Sequence, residues 1–181
     1  VSALQIAVLA LAAVLVFWMV GAYNRLMALR TAIGVAWQQV AEALARRGEA
    51  AQALAQALRE PMAGEAKALD ALLAAEAQVR EAAAALGARP VRLEAALVLV
   101  KGEAAMGAAA SRVLALLEQH PLLKVEPAIA EQAVVLADGG SRLAFARQRF
   151  NEAGAAYDEA IAEFPTRLLV PLYRFGPAGR L

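Results

Sequence analysis

The sequence predicts an all-α protein: an N-terminal transmembrane helix that continues into an antiparallel four-helix bundle. Three observations predict it. The 181 residues are dominated by Ala, Leu, Glu and Arg, all strong helix formers. One stretch near the start, ALQIAVLALAAVLVFWMVGA at 3–22, has Gln5 as its only strongly polar side chain. After it, apolar residues recur at helical spacing in four stretches separated by Pro- or Gly-containing breaks.

Taken in order, residues 1–22 form the membrane segment. Twenty apolar residues in a helix reach about 30 Å, the thickness of a hydrocarbon core. Trp18 and Tyr23 mark the far interface, where aromatic rings are favoured, and Arg25 follows. A secretory signal peptide is the rival reading; the absent basic n-region and the long apolar run argue against it. Arg25, Arg30, Arg46 and Arg47 all follow the span and no charged residue precedes it. The positive-inside rule then puts the N-terminus outside and residues 23–181 in the cytoplasm, as a single-pass protein of a bacterial inner membrane.

Residues 23–165 form the bundle. The first helix ends near Pro61, with Leu26, Ile33, Val40 and Leu54 on one line and Trp37, Leu44 and Leu58 on the next. Gly21, Gly34 and Gly48 are places where it could bend. The second helix runs about 62–86 with Leu69, Leu72, Val79 and Leu86 inward, and Gly87-Ala-Arg-Pro90 ends it. The third runs about 91–119 with Leu93, Leu97, Val100 and Leu114 inward. HPLLKVEP at 120–127 connects it to the fourth, about 128–164, with a weak spot at Gly139-Gly140. Short connections favour antiparallel neighbours. The second helix should return to the membrane, the third leave it and the fourth end at it.

The fourth helix carries a line of large residues, Leu143, Phe150, Tyr157 and Phe164, seven apart and opposed by Ala146, Ala153 and Ala160. Large against small lets layers interdigitate, so the line reads as aromatic core. Asn151 and Asp158 flank it, placed to bond another element that the sequence does not name. Two arginines, Arg47 and Arg147, fall on apolar lines, and a buried guanidinium needs an acid. A hairpin folded about Pro61 sets Arg47 opposite Glu76; one folded about residues 123–124 brings Arg147 within a turn of Glu103. The expected interhelical pairs are Arg47–Glu76 and Arg147–Glu103, with outward snorkelling as the alternative.

Residues 166–181, TRLLVPLYRFGPAGRL, form an apolar and basic tail. Arg167, Tyr173 and Arg174 suit an anionic lipid interface. A tail packed along the bundle, or a disordered one, is the alternative.

Several classes are excluded or weakened. A net charge of +1 leaves no nucleic-acid footprint. Without cysteine there are no disulfides or thiolate sites. The single histidine, His120, cannot supply the two Glu-x-x-His motifs of a di-metal carboxylate bundle. No phosphate-binding glycine loop is present. The expectation is no enzyme, no cofactor and no metal.

The motifs resemble the LemA family. Near the tail-side end, Ala144, Ala146-Arg147, Phe150-Asn151, Tyr157, Ile161 and Phe164-Pro165 follow its AR, YN, YN, I, FP run. Near the start, Tyr23-Asn24, Leu26, Leu29-Arg30, Ala36-Trp37, Leu44 and Arg46-Arg47 also match, and His120-Pro121-Leu122 is similar to its Tyr-Pro-Asp/Glu-Leu connection. The sequence departs where the family has Leu-Ile-Pro-Asn-Leu, here AAQAL at 50–54, where the second Tyr-Asn is Tyr157-Asp158, and where Gly140 stands for an acid. The resemblance implies a non-enzymatic scaffold on the bilayer. Self-association into a homo-oligomer is one expectation, and an adaptor for another membrane protein, such as a protease, is the other. A small-molecule site between helices is the third reading, which a polar pocket would favour.

Overall fold

The computed structural model describes residues 2–163, 167 and 176–181, and every regular element among them is helical. Helix α1, Ala3–Leu58, joins the apolar span to the bundle without interruption. Ser2 caps it: its hydroxyl accepts the Gln5 N–H, and Gln5 Oε1 accepts the Ser2 N–H at 2.9 Å. That bond gives the one polar side chain of the span a partner. The helix continues through Gly21, Gly34 and Gly48.

A 3₁₀ turn, Ala63–Glu65, leads to α2, Ala66–Ala88, which stops before Pro90. Proline cannot donate to the helix ladder and disfavours α geometry at the residue before it. Helix α3 is Leu93–Glu118. The connection at 120–127 holds a short helix, α4, Pro121–Lys124, with Pro121 in its first turn. Helix α5, Pro127–Ala162, also starts on a proline, whose fixed φ and missing N–H suit that position. It passes unbroken through Gly139-Gly140, the expected weak spot.

The packing is a square. Helix α1 lies most extensively on α5 and α2 on α3; α1–α2 and α3–α5 contacts close the ring. The α3–α5 side is the thinnest of the four. The inward lines expected for α1 and α2 are all buried. Helix α3 is turned by one residue, about 100°, from the expected face. Leu93 and Leu97 are half exposed, while Ala96, Leu99, Glu103, Met106, Ala110 and Val113 face the core. This helix is apolar on two sides, so periodicity alone does not choose between them. Small residues win the inner line because they let α3 approach closely; a Cβ on Gly102 would touch Val79 of α2 at 3.4 Å.

The helices differ in depth. Residues 3–21 of α1 are all exposed, and burial begins at Ala22. Helix α5 descends to that level, where Arg25 pairs with Glu163 at 3.0 Å. Helix α2 stops well short of it, contrary to the expected return. Gly87, near its end, sits against Trp37, about 22 Å farther along α1 than Ala22 at 1.5 Å per residue. Helices α1 and α5 therefore form a two-helix neck beneath a four-helix head.

Candidate functional site

The aromatic line is core, as its spacing implies. Leu143, Phe150 and Tyr157 are at most 3% exposed. Phe150 meets Trp37 of α1 edge to face, with centroids 6.1 Å apart and planes at 69°. Such a pair contributes about 0.5–1.5 kcal/mol beyond area burial. Burial holds the Tyr157 hydroxyl above its ordinary pKa, with Arg30 opposing and Asp158 adding to the shift. Phe164 lies outside the described residues.

Behind this line is a layer of buried charge, and its pairing differs from the expected one. Arg47 does not bond Glu76. It crosses the diagonal of the square, and its Nη1 donates to Glu103 Oε2 on α3 at 2.8 Å. The reason is register. Glu76 lies against Gly48, one residue past Arg47, where a Cβ would stand 3.1 Å from its Oε1. There Arg80, one turn along α2, donates to both its oxygens at 3.2 and 3.1 Å. The stem of Arg47 lies across α5 at Gly139, where a Cβ would come within 3.0–3.3 Å of its Cβ, Cγ and Cδ. The missing side chain at 139 is thus a channel for Arg47. Arg147 does not bond Glu103 either; it is half-buried and acts on that carboxylate only through its charge. Burial pushes the Glu103 carboxyl above its ordinary value, against the opposing pull of Arg47 and Arg147. Arg47 Nε and Glu103 Oε1 are buried without a hydrogen-bond partner.

Asn151 and Asp158, the flanking polar residues, hold the tail. Residues 178–181 lie in the seam between α3 and α5, and Gly176 and Pro177 before them are exposed. Asp158 Oδ1 accepts the Ala178 N–H at 2.7 Å, and its Oδ2 accepts from Arg180 Nη2 at 2.6 Å. Arg180 Nη1 also donates to the Asn151 carbonyl. The Asn151 amide reads the backbone of Leu181 in both directions, accepting its N–H at 2.8 Å and donating to its carbonyl at 2.7 Å. From the other wall, the Val91 carbonyl accepts the Gly179 N–H at 3.2 Å. Two glycines make the fit. A Cβ on Gly179 would stand 2.8 Å from Ala96 Cβ and 2.9 Å from the Arg92 carbonyl oxygen; one on Gly154 would stand 2.8 Å from Arg180 Nη1. Leu181 reaches a small void that Leu99, Glu103 and Arg147 also line, so tail and charge layer adjoin.

This placement corrects the lipid reading for residues 178–181: Ala178 is 5% exposed and Arg180 is paired inside the protein. Arg167 is exposed, and its N–H bonds the Glu163 carbonyl at 2.9 Å, at the neck end of α5. Tyr173 and Arg174 lie outside the described residues. Trp18 and Tyr23 are exposed at the end of the apolar stretch.

A groove of about 380 Å³ runs between α1 and α2 over Trp37, Leu44, Val79 and Met106, with Glu76 and Arg80 as its polar edge. His120 precedes α4 and makes no capping bond, while Glu118 pairs with Lys124 at 2.6 Å. Among the described residues no three His, Cys, Asp or Glu side chains gather at metal-binding spacing.

A helical head on a neck that extends into one long apolar helix, with an extended tail clamped between two helices, defines a bundle protein with, among the described residues, a single candidate membrane span. Residues 36–180 match the LemA family, and the chain belongs to it. The matched span takes in the whole head, the charge layer and most of the tail. No curated protein matches the chain.

Proposed function

We propose that this chain is a non-enzymatic, membrane-anchored scaffold that self-associates at the cytoplasmic face of a bacterial membrane. The observation that carries the reading is the continuity of α1. Its 56 residues include an apolar stretch that none of the described residues covers. An uncovered apolar surface of this size needs a partner, and a bilayer is the partner its length fits. The same helix then forms the main wall of the head, so span and head are one rigid body. Such a body presents every copy at the same angle and height, which suits a ring or array. The buried charges of the interior are paired with one another, as in Arg47–Glu103 and Glu76–Arg80, although Arg47 Nε and Glu103 Oε1 have no hydrogen-bond partner. The α1–α2 groove is mostly apolar, with Glu49, Gln52 and the Glu76–Arg80 pair at its edge, so it is not the polar pocket that would favour the small-molecule reading.

The test is the mass of the detergent-solubilised chain by light scattering after size exclusion, repeated on residues 23–181. A large uniform assembly that requires residues 1–22 is the expected result. A monomer in both preparations would refute self-association and leave an adaptor for another membrane protein, to be sought by crosslinking in cells.

A further inference from the structure

The seam between α3 and α5 is built as a peptide site. Its walls present one carboxylate, one carboxamide and the backbone carbonyls of Val91 and Asn151 toward residues 178–181, and these contact backbone as well as side chain. Each position has a stated requirement. Residue 178 is small and buried, its Cβ 3.4 Å from where a Cβ on Gly154 would stand. Residue 179 is glycine because two neighbours lie within 3 Å of a Cβ there. Residue 180 is arginine, since one guanidinium reaches both Asp158 and the Asn151 carbonyl. Residue 181 is apolar toward the void beside Glu103, with its backbone paired to Asn151. The seam lies on the thinnest side of the square, so the peptide fills space that helix packing leaves open.

We propose that this seam is a binding site for an extended small-Gly-Arg-apolar peptide, and that between membrane-anchored copies it takes the tail of a second copy. The second half rests on the self-association proposed above. Any copy's tail carries the same groups and can make the same bonds, so exchange loses no contact. Nine residue steps separate Arg167 from Gly176, a ceiling of about 30 Å, against a bundle width of two helix spacings, about 16–20 Å. Exchange of an identical element is a low-cost route to assembly. A shared bilayer holds the seams of neighbouring copies at one height.

Two experiments test this on full-length chain in detergent. The first uses a fluorescent Gly-Pro-Ala-Gly-Arg-Leu peptide and anisotropy. Gly179→Val should expel the chain's own tail, and the peptide should bind that variant but not the wild type. Adding Asp158→Ala should weaken peptide binding by roughly 10- to 100-fold, the range for a charge-assisted bond. Arg180→Ala is the milder tail variant if Gly179→Val compromises folding, judged by circular dichroism. Absence of peptide binding to either folded tail variant would overturn the site.

The second mixes two differently tagged chains. One carries Asp158→Ala with an intact tail; the other carries Gly179→Val with an intact seam. Exchange predicts co-purification from the mixture well above that of either variant with itself. Peptide binding without co-purification would overturn the second copy as occupant and leave the chain's own tail in that role. The wild-type mass, measured separately, shows whether self-association stands apart from exchange.

Discussion

Replacing Glu103 by leucine should be among the most damaging single changes to the head, and the structure says why. The Arg47 and Glu103 side chains are 9% and 7% exposed and are joined at 2.8 Å. Removing one partner leaves a buried charge uncompensated, which costs about 3–5 kcal/mol. The two singles should differ. In Arg47→Met the straight stem still lies along Gly139, and Glu103 keeps the nearby charge of Arg147 and can take up a proton, so a loss of about 2–3 kcal/mol is expected, below the usual range. In Glu103→Leu no acid replaces the lost one, since Glu76 is bonded by Arg80, and Arg47 cannot shed its charge. The full 3–5 kcal/mol should appear. The double variant Arg47→Met/Glu103→Leu removes both charges and the two unpartnered atoms with them. It should return to within about 1 kcal/mol of wild type or exceed it. Urea unfolding in detergent, followed by fluorescence in a Trp18→Phe background, isolates Trp37, which touches Phe150 in the core. Single variants within about 0.5 kcal/mol of wild type, or a double variant as weak as the summed singles, would refute the buried-charge account.

Other outcomes follow from the same contacts. Because Glu103 holds its proton more tightly when folded than its ordinary value of 4.5 allows, wild-type stability relative to Glu103→Gln should fall as pH rises from about 4.5. Urea midpoints across pH 4–7 test this, and the opposite trend would show that the pull of Arg47 and Arg147 outweighs burial. Gly139→Ala should destabilise the head by about 1 kcal/mol or more, as overpacking against Arg47 exceeds the gain in helix propensity. Gly140→Ala, with open space around it, should instead stabilise by about 0.5–1 kcal/mol, and thermal melts of the two variants should therefore shift in opposite directions. Arg25→Ala should cost under about 1 kcal/mol by the same urea assay, because its pair with Glu163 is exposed on both sides.

Much of the fold was legible in residue spacing. The lines through Leu26 and Ile33, through Leu69 and Leu72, and through Leu143 and Phe150 each offer one apolar face, so periodicity has one solution. Helix α3 offers two faces, and the choice depends on how closely a neighbour can approach, which spacing does not encode. The charge layer was half legible. Arg47 stands out as a charge on an apolar line, the two hairpins bring Glu76 and Glu103 forward as candidate acids, and all three are buried. Their partners turned on a register difference of one residue, which moved Glu76 to Gly48 and freed Arg47 to cross the bundle. The seam was signalled only by Asn151 and Asp158 beside an aromatic line. Nothing local links them to Ala178 and Arg180, twenty or more residues away, because that contact depends on where the short α2–α3 hairpin ends.

The unbroken α1 turns residue count into geometry. Between the exposed apolar stretch and the first head contact there is no loop to absorb an insertion. Each residue added near Gly21 would rotate the head by about 100° and lift it by about 1.5 Å. Two added residues would point the α3–α5 seam almost backwards; seven would restore its bearing to within about 20° and raise it about 10 Å. The azimuth of the head about the axis of the apolar stretch is thus set like the thread of a screw, by the number of residues before it.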